Sequence, residues 1–277
     1  MEASQSERAQ AFRALHERPG AFVIPNPFDI GTARILAGLG FEALATTSAG
    51  MAFALGRRDG AVRRDEALAH ARAIVGATPL PVSADLENGF GDAPEVVAET
   101  IRLAADTGLA GASIEDATGD PDRPIYEASL ALERVVAAVE AARGLPFPFT
   151  LTARAENFLH GRPDLDDTIR RLQAFESAGA DVLYAPGLRD LDAVRTLCQA
   201  VGKPVNVIMG LTGAAFTVDQ LAAAGVRRIS LGSALSRVAL GAFLRAAREI
   251  KAQRTFTAAG DAASFAEIEA FMQGREA

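Results

Sequence analysis

Eight short apolar runs, each followed by a stretch of helical periodicity, predict a (β/α)8 TIM barrel of the α/β class. Two further observations point the same way. The runs are rich in β-branched residues and carry little charge, as in strands covered on both faces. The alternation is strict over about 250 residues, the usual size of this barrel. A doubly wound open sheet is the rival, but no G-x-G-x-x-G follows the first strand. No linker, low-complexity segment or composition break divides the 277 residues. Residues 1–277 therefore read as one barrel domain, with 255–277 a C-terminal helical extension.

Residues 4–17 (SQSERAQAFRALHE) read as an amphipathic helix ahead of the barrel. Ala9, Phe12 and Leu15 recur at helical spacing and Ser4 can cap. Arg18-Pro19-Gly20 ends it. AFVIPN (21–26) is the first strand, stopped by Pro25 and Pro27. Asp29 opens a helix that Gly38 and Gly40 end. The same grammar gives strands at 42–47, 80–85, 110–116, 149–155, 181–185, 204–209 and 228–232. Helices follow at 64–76, 94–107, 128–142, 164–178, 190–200, 218–224 and 234–253. Before the fourth of these nine helices, counting the N-terminal one, Asp92 is placed to cap and Pro94 sits in the first turn. A polar hinge, TFTAAGD (255–261), leads to a last helix at 264–274. Phe265, Ile268, Phe271 and Met272 lie on one of its faces. A barrel needs no such helix for closure. Its apolar face predicts docking, on its own barrel or swapped onto a neighbouring subunit.

Composition excludes several classes of function. The chain has 28 Lys and Arg against 35 Asp and Glu, a net charge of −7. With a pI near 5.1 and no long cationic run, nucleic acid and anionic membrane are disfavoured as partners. No apolar run approaches the ~20 residues that span a bilayer. The stretch MEASQSERAQ lacks the apolar core of a signal peptide, so a cytoplasmic location is expected. The single Cys198 leaves neither an intrachain disulfide nor a multi-cysteine metal site, and it reads as a packing residue.

The chemistry gathers where this fold places it, at the C-terminal ends of the strands. VSADLENGFGD (82–92) ends a strand in Asp85 and Glu87, two residues apart and so on one face. Two carboxylates held together call for a cation between them. Strand alternation gives Ser83, Asp85 and Glu87 one direction, Ser113 and Glu115 a second set, and Thr152, Arg154 and Glu156 a third. Facing inward, these sets bring acids from strands 3 and 4 beside Arg154. Asp59 lies in the loop after strand 2. All-oxygen ligands suit Mg²⁺, or Mn²⁺. Arg154 can fork onto a carboxylate or pair with Glu115 or Glu156. Ser48 with the amides of Ala49 and Gly50 offers an anion-binding turn. Gly210–Gly213 and Gly232-Ser233 offer amides for a phosphate, a reading that leaves the acids of strands 3 and 4 without a role.

Six pieces together resemble the isocitrate lyase/phosphoenolpyruvate mutase superfamily: TTSAG (46–50), GRRDG (56–60), SADLENGFG (83–91), SIED (113–116), TARAE (152–156) and VNVIMG (205–210). The resemblance covers about residues 10–250. It implies a (β/α)8 barrel with Mg²⁺ and a 2-oxo acid at its mouth. By it, Asp85 contacts the metal directly, while Asp59, Glu87 and Glu115 hold metal-bound waters. Glu87 stands where the family usually has Asp. Ser48, Ala49 and Gly50 would grip the substrate carboxylate and carbonyl, Arg154 its carboxylate region, and Asn206 would support or touch the substrate. The family's tetramers exchange a C-terminal helix, so a homo-oligomer, dimer or tetramer, is implied.

The departure from the family lies in the loop after strand 4. Isocitrate and methylisocitrate lyases carry K-K-C-G-H there, with the cysteine as acid/base. This chain reads ATGDPDRPIYEAS (117–129), without Cys, Lys or His. It lacks the K-T-N pattern of phosphoenolpyruvate mutases as well. Asp120, Asp122, Arg123 and Tyr126 are the polar groups that remain. Arg123 is a candidate for an anionic leaving end and Tyr126 for proton donation. His160, after strand 5, is a further acid/base candidate. The sequence thus predicts a Mg²⁺-dependent lyase or hydrolase of a small 2-oxo acid or dicarboxylate, by oxaloacetate-like C–C cleavage or decarboxylation. It disfavours a conventional isocitrate or methylisocitrate lyase. The alternatives are phosphonopyruvate hydrolase or mutase chemistry, and a non-catalytic 2-oxo acid binder.

Overall fold

A computed structural model describes residues 3–210 and 215–274. Eight parallel strands form one sheet: β1 (Phe22–Ile24), β2 (Leu44–Ala45), β3 (Val82–Asp85), β4 (Gly111–Glu115), β5 (Thr150–Arg154), β6 (Val182–Tyr184), β7 (Val205–Ile208) and β8 (Arg228–Ser230). Their order is β1-β8-β7-β6-β5-β4-β3-β2. The seam between β1 and β2 has no strand ladder, yet Ala45 N–H reaches the Pro25 carbonyl at 3.1 Å. Asn26 reinforces the seam. Its Nδ2 donates to the Thr46 carbonyl at 3.0 Å, and its Oδ1 accepts from the amides of Leu231 and Gly232. The sheet is thereby a nearly closed (β/α)8 barrel.

Helix α1 (Gln5–Glu17) covers the N-terminal end of the barrel. Ser4 caps it, and Glu7 completes a capping box. Phe12 is fully buried among Phe22, Ala43 and Ala110, residues at or just before the starts of strands. A side chain on Gly111 would meet the Thr150 carbonyl at 2.4 Å and the Phe12 ring at 3.1 Å. Only glycine lets the plug approach this closely.

The outer layer contains α2 (Ile30–Gly38), α3 (Ser48–Ala54), α4 (Arg64–Val75), α5 (Pro94–Ala105), α6 (Ala128–Arg143), α7 (Leu165–Ala178), α8 (Leu191–Ala200), α9 (Val218–Ala223) and α10 (Ala234–Gln253). Helix α3 is an addition to the sequence expectation, which left Ala49-Gly50 as a turn. Thr47 starts it as an N-cap, its Oγ1 accepting from Gly50 N–H at 3.3 Å. The expected hinge at 255–261 is ordered. Four donors from Thr255, Thr257 and Ala258 bind the Glu249 carboxylate. Helix α11 (Phe265–Met272) then lies against α2, where Arg34 Nη1 donates to the Met272 carbonyl at 2.8 Å. Among the described residues, no helix is long and apolar enough to cross a membrane.

Candidate active site

Strand register sets the site. Glu115 lies opposite Arg154, and Asp85 opposite Ser113, so all three functional ends face the barrel axis at the mouth. Arg154 is the hub. Its Nη1 lies 2.9 Å from Asp85 Oδ1, its Nη2 2.9 Å from Glu115 Oε2, and its Nε 2.8 Å from Glu156 Oε1. The ring of Tyr184, opposite Arg154 on β6, lies 5.1 Å from the guanidinium. Asp85 Oδ2 also accepts from Ser48 N–H at 3.2 Å. Asp59 reaches the same corner from the loop after α3, its Oδ1 accepting from Gly60 N–H at 3.2 Å.

Charge does not balance here. Asp59, Asp85, Glu87, Glu115 and Glu156 surround one arginine. Burial, then the charges of Asp85 and Asp59, push Glu87 up to about 7. Burial and Asp85 raise Asp59. Burial raises Glu115 well above the carboxylate range, Arg154 opposing and Glu156 adding to the rise. Glu87 also holds a left-handed backbone at φ 50°, as does Phe90 at 64°. Non-glycine residues keep such strain where the surroundings fix them.

These groups fit a hard divalent cation. All the donors are oxygens, and the surplus of negative charge is what such an ion relieves. Among the described residues, no three acids converge tightly enough to ligate a metal by themselves. A site for Mg²⁺ or Mn²⁺ needs no such triplet, since these ions keep several waters and take few protein ligands. Asp59, Asp85, Glu87 and Glu115 are the residues that would hold such an ion.

Several expected roles change in the folded chain. Arg154 is no free fork, because three carboxylates already occupy its three nitrogens. The amide of Ser48 is engaged by Asp85 and that of Gly50 by Thr47, which leaves Ala49 N–H for an external anion. Gly50 is buried, and a Cβ there would sit 2.5 Å from Thr47 Cγ2, so its glycine is a packing requirement. Asn206 is 1 % exposed: Oδ1 accepts from Arg228 and Nδ2 donates one of its two N–H groups to Ser230. It supports Arg228 from inside the barrel.

The loop candidates fall outside the cradle. The Arg123 side chain is 85 % exposed and 3.5 Å from Asp120. Tyr126 is buried, donates to Asp92 and accepts from Asn88. Burial and the Asp92 bond push its phenol up to about 12, so it keeps its proton and directs it at Asp92. His160 is exposed on the loop after β5. Cys198 is half-buried, and burial pushes its thiol up to about 11, an inert packing residue. Of the glycine-rich stretch 210–213, residues 211–213 lie outside the described residues.

Two interior residues escaped the sequence reading, Tyr184 and Arg228. Both stand in line with Arg154 across the barrel: Arg154 is opposite Tyr184, Tyr184 opposite Asn206, and Asn206 opposite Arg228. The shared parity of Arg228 and Ser230 on either side of Ile229 was the available signal.

The family model for phosphoenolpyruvate phosphomutase matches residues 12–251. The 2-methylisocitrate lyase of Salmonella typhimurium is 30% identical over 227 residues, 78% of this chain and 76% of that protein. A crystal structure from Burkholderia cenocepacia J2315 is 60% identical, covers 99% of each chain and superposes with a TM-score of 0.96. Oxaloacetate acetylhydrolase in complex with its product oxalate is 25% identical over 97% of this chain and 94% of that one, with a TM-score of 0.87. The chain belongs to the phosphoenolpyruvate phosphomutase family, within the isocitrate lyase/phosphoenolpyruvate mutase superfamily.

Proposed function

We propose that this protein is a Mg²⁺- or Mn²⁺-dependent lyase that cleaves a C–C bond in a small 2-oxo dicarboxylate of the oxaloacetate type. The surplus of acids around Arg154 carries the reading, since it creates an all-oxygen cation site at the barrel mouth. A divalent ion bound there would polarise the 2-oxo group and stabilise the enolate left by cleavage. The residues of the chain do the positioning. Arg154 holds Asp85, Glu115 and Glu156 together, and Ser48 N–H orients the second oxygen of Asp85. Ala49 N–H is the free amide of the first turn of α3 for a substrate oxygen. The similarity to an oxaloacetate acetylhydrolase that binds oxalate supports the substrate class. A C–P reaction would call on Arg123 for a phosphonate, and that side chain turns to solvent.

Supplied with Mg²⁺ or Mn²⁺ and oxaloacetate, the protein should release pyruvate and CO₂, or oxalate and acetate with uptake of water. Release of phosphate or phosphoenolpyruvate from phosphonopyruvate, with oxaloacetate untouched, would overturn the reading. Asp85→Ala should abolish Mg²⁺-dependent binding of oxalate by calorimetry. The fold should survive, because Arg154 keeps two carboxylate partners. Retained Mg²⁺-dependent binding counts against the site.

A further inference from the structure

Arg228, on β8, is 5 % exposed, yet its hydrogen-bond partners are all neutral. Nε donates to Asn206 Oδ1 at 2.9 Å and Nη2 to Thr152 Oγ1 at 3.0 Å. Nη1 faces His16 Nε2 at 3.4 Å. The other ring nitrogen of His16 lies 2.8 Å from the Phe12 carbonyl, which assigns the proton to Nδ1 and a lone pair to Nε2. Burial and the charge of Arg228 keep this imidazole neutral, with a pKa near 3. Three of the five N–H groups of Arg228 are thus held by dipoles, and none by a carboxylate among the described residues. A buried arginine without an anion is costly, and folded proteins rarely keep one.

The cation has space beside it. A cavity of about 90 Å³ is lined by Arg228, Ser230, Asn206 and Tyr184, and extends to Arg154 and Asp85 at the mouth. At roughly 30 Å³ per water it holds about three waters, room for a carboxylate and for little more. Two arginines line it, and Arg154 is already overspent on three acids. Arg228 is the one without a carboxylate.

We propose that Arg228 forms the floor of a second anion subsite, inside the barrel beneath the acid cradle, that takes the distal carboxylate of a dicarboxylate substrate. This rests on reading the mouth as a 2-oxo acid site. It deepens that reading by assigning the two ends of the substrate: the 2-oxo acid end to the mouth, the far carboxylate to the floor. The floor selects length and rejects a bulkier phosphonate group. Asn206, Thr152 and His16 act as positioning residues that hold the guanidinium without neutralising it.

Calorimetry separates the two ends. Oxalate fills the mouth alone, whereas 3,3-difluorooxaloacetate also reaches the floor. With Mg²⁺ present, Arg228→Gln should bind oxalate like the wild type and bind the longer acid at least about tenfold more weakly, the scale of one charge-assisted pair. Equal loss of both ligands, or no loss of either, overturns the floor. If oxalate fails to bind the wild type, it is the mouth reading that falls. Wild-type crystals soaked in bromide then judge the floor without any variant, which also covers a variant that does not fold. An anomalous peak against the Arg228 guanidinium sustains the anion floor, and no peak overturns it. Where the mouth does bind oxalate, the longer acid should remove that peak. A peak it leaves in place marks a resident inorganic anion and overturns the assignment to substrate.

Discussion

Glu87 shows what the acid cradle does to a single residue. Its folded pKa of about 7 stands above the ordinary 4.5, because burial and the neighbouring charges of Asp85 and Asp59 penalise the ionised form. Between about pH 4.5 and 7 the folded chain therefore holds a proton that the unfolded chain has lost. The stability of the metal-free protein from this group must fall as pH rises through that window. His16 has the opposite sign. Its folded pKa near 3 lies below 6.5, so its contribution is present above pH 6.5 and is lost as pH falls towards 3. The two slopes overlap, and the comparison that isolates Glu87 is with Glu87→Gln. In the presence of a chelator, the melting temperature of the variant should lose less than that of the wild type between pH 5 and pH 8. Excess Mg²⁺ should narrow the difference, since a cation offsets the same repulsion. Identical pH profiles would remove Glu87 from the charge cluster. At this scale the sequence was most legible where alternation applied. Asp85, Glu115 and Arg154 end strands, so parity alone put them on one face. Glu87 lies past the end of β3, and its φ of 50° is set by the turn. Arg228 was missed, despite its parity with Ser230, because a second arginine opening a short strand reads as an exposed strand start. The α1 plug that buries it came from residues over two hundred positions away.

Among elements, the turn after β3 and the loop after β4 behave as one unit. Arg134, on α6 and 1 % exposed, donates to the carbonyls of Asn88, Gly91 and Asp92, and its guanidinium lies 4.2 Å from the centroid of the Tyr126 ring. Tyr126 adds its bonds to Asp92 and Asn88. Arg171, on α7, holds the Tyr126 carbonyl and the Asp116 carboxylate from the other side. The strained SADLENGF turn is thus braced by buried groups from three later segments. Loops carry no periodicity, so the sequence offered Tyr126 as a polar group without saying which way it points. Tyr126→Phe should cost about 1–2 kcal/mol of stability, the scale of a lost buried hydrogen bond with one partner left behind. Turnover should fall modestly with its pH profile unshifted, measured beside a thermal melt. Loss of a pH-profile limb at unchanged stability would return Tyr126 to acid/base chemistry. The absent loop cysteine has no substitute in this latch, which is a brace around the cradle.

The whole molecule leaves one surface unexplained by its own barrel. Of the 20 residues of α10, only Ala234 and Ser236 are buried. Val238 is 68 % and Phe243 69 % exposed, with Leu240, Leu244 and Ile250 also open. Beyond it, Phe256 and Phe265 are 71 % and 82 % exposed. Helix α11 buries Phe271 against α2 but leaves Phe265 and Ile268 outside. This many large apolar side chains exposed along α10 and the segments after it call for a cover. We propose that a second copy of the chain supplies it, with α10 as the axis of the contact and the outer face of α11 beside it. The apolar pattern of residues 264–274 predicted docking from sequence. That α10 itself is the bare element was not legible, because its heptad-like pattern matches any barrel helix that packs inward. Light scattering should find an oligomer, and Phe243→Asp should shift it towards monomer while the barrel keeps its circular dichroism. A charge on a buried interface cannot be accommodated, whereas on a free surface it is neutral. Removing residues 262–277 should disturb assembly as well, since it takes the exposed Phe265 and Ile268 from that apolar surface. An oligomer unchanged by both alterations, or a monomer from the start, would leave the exposed face of α10 to some other partner and sink the self-association.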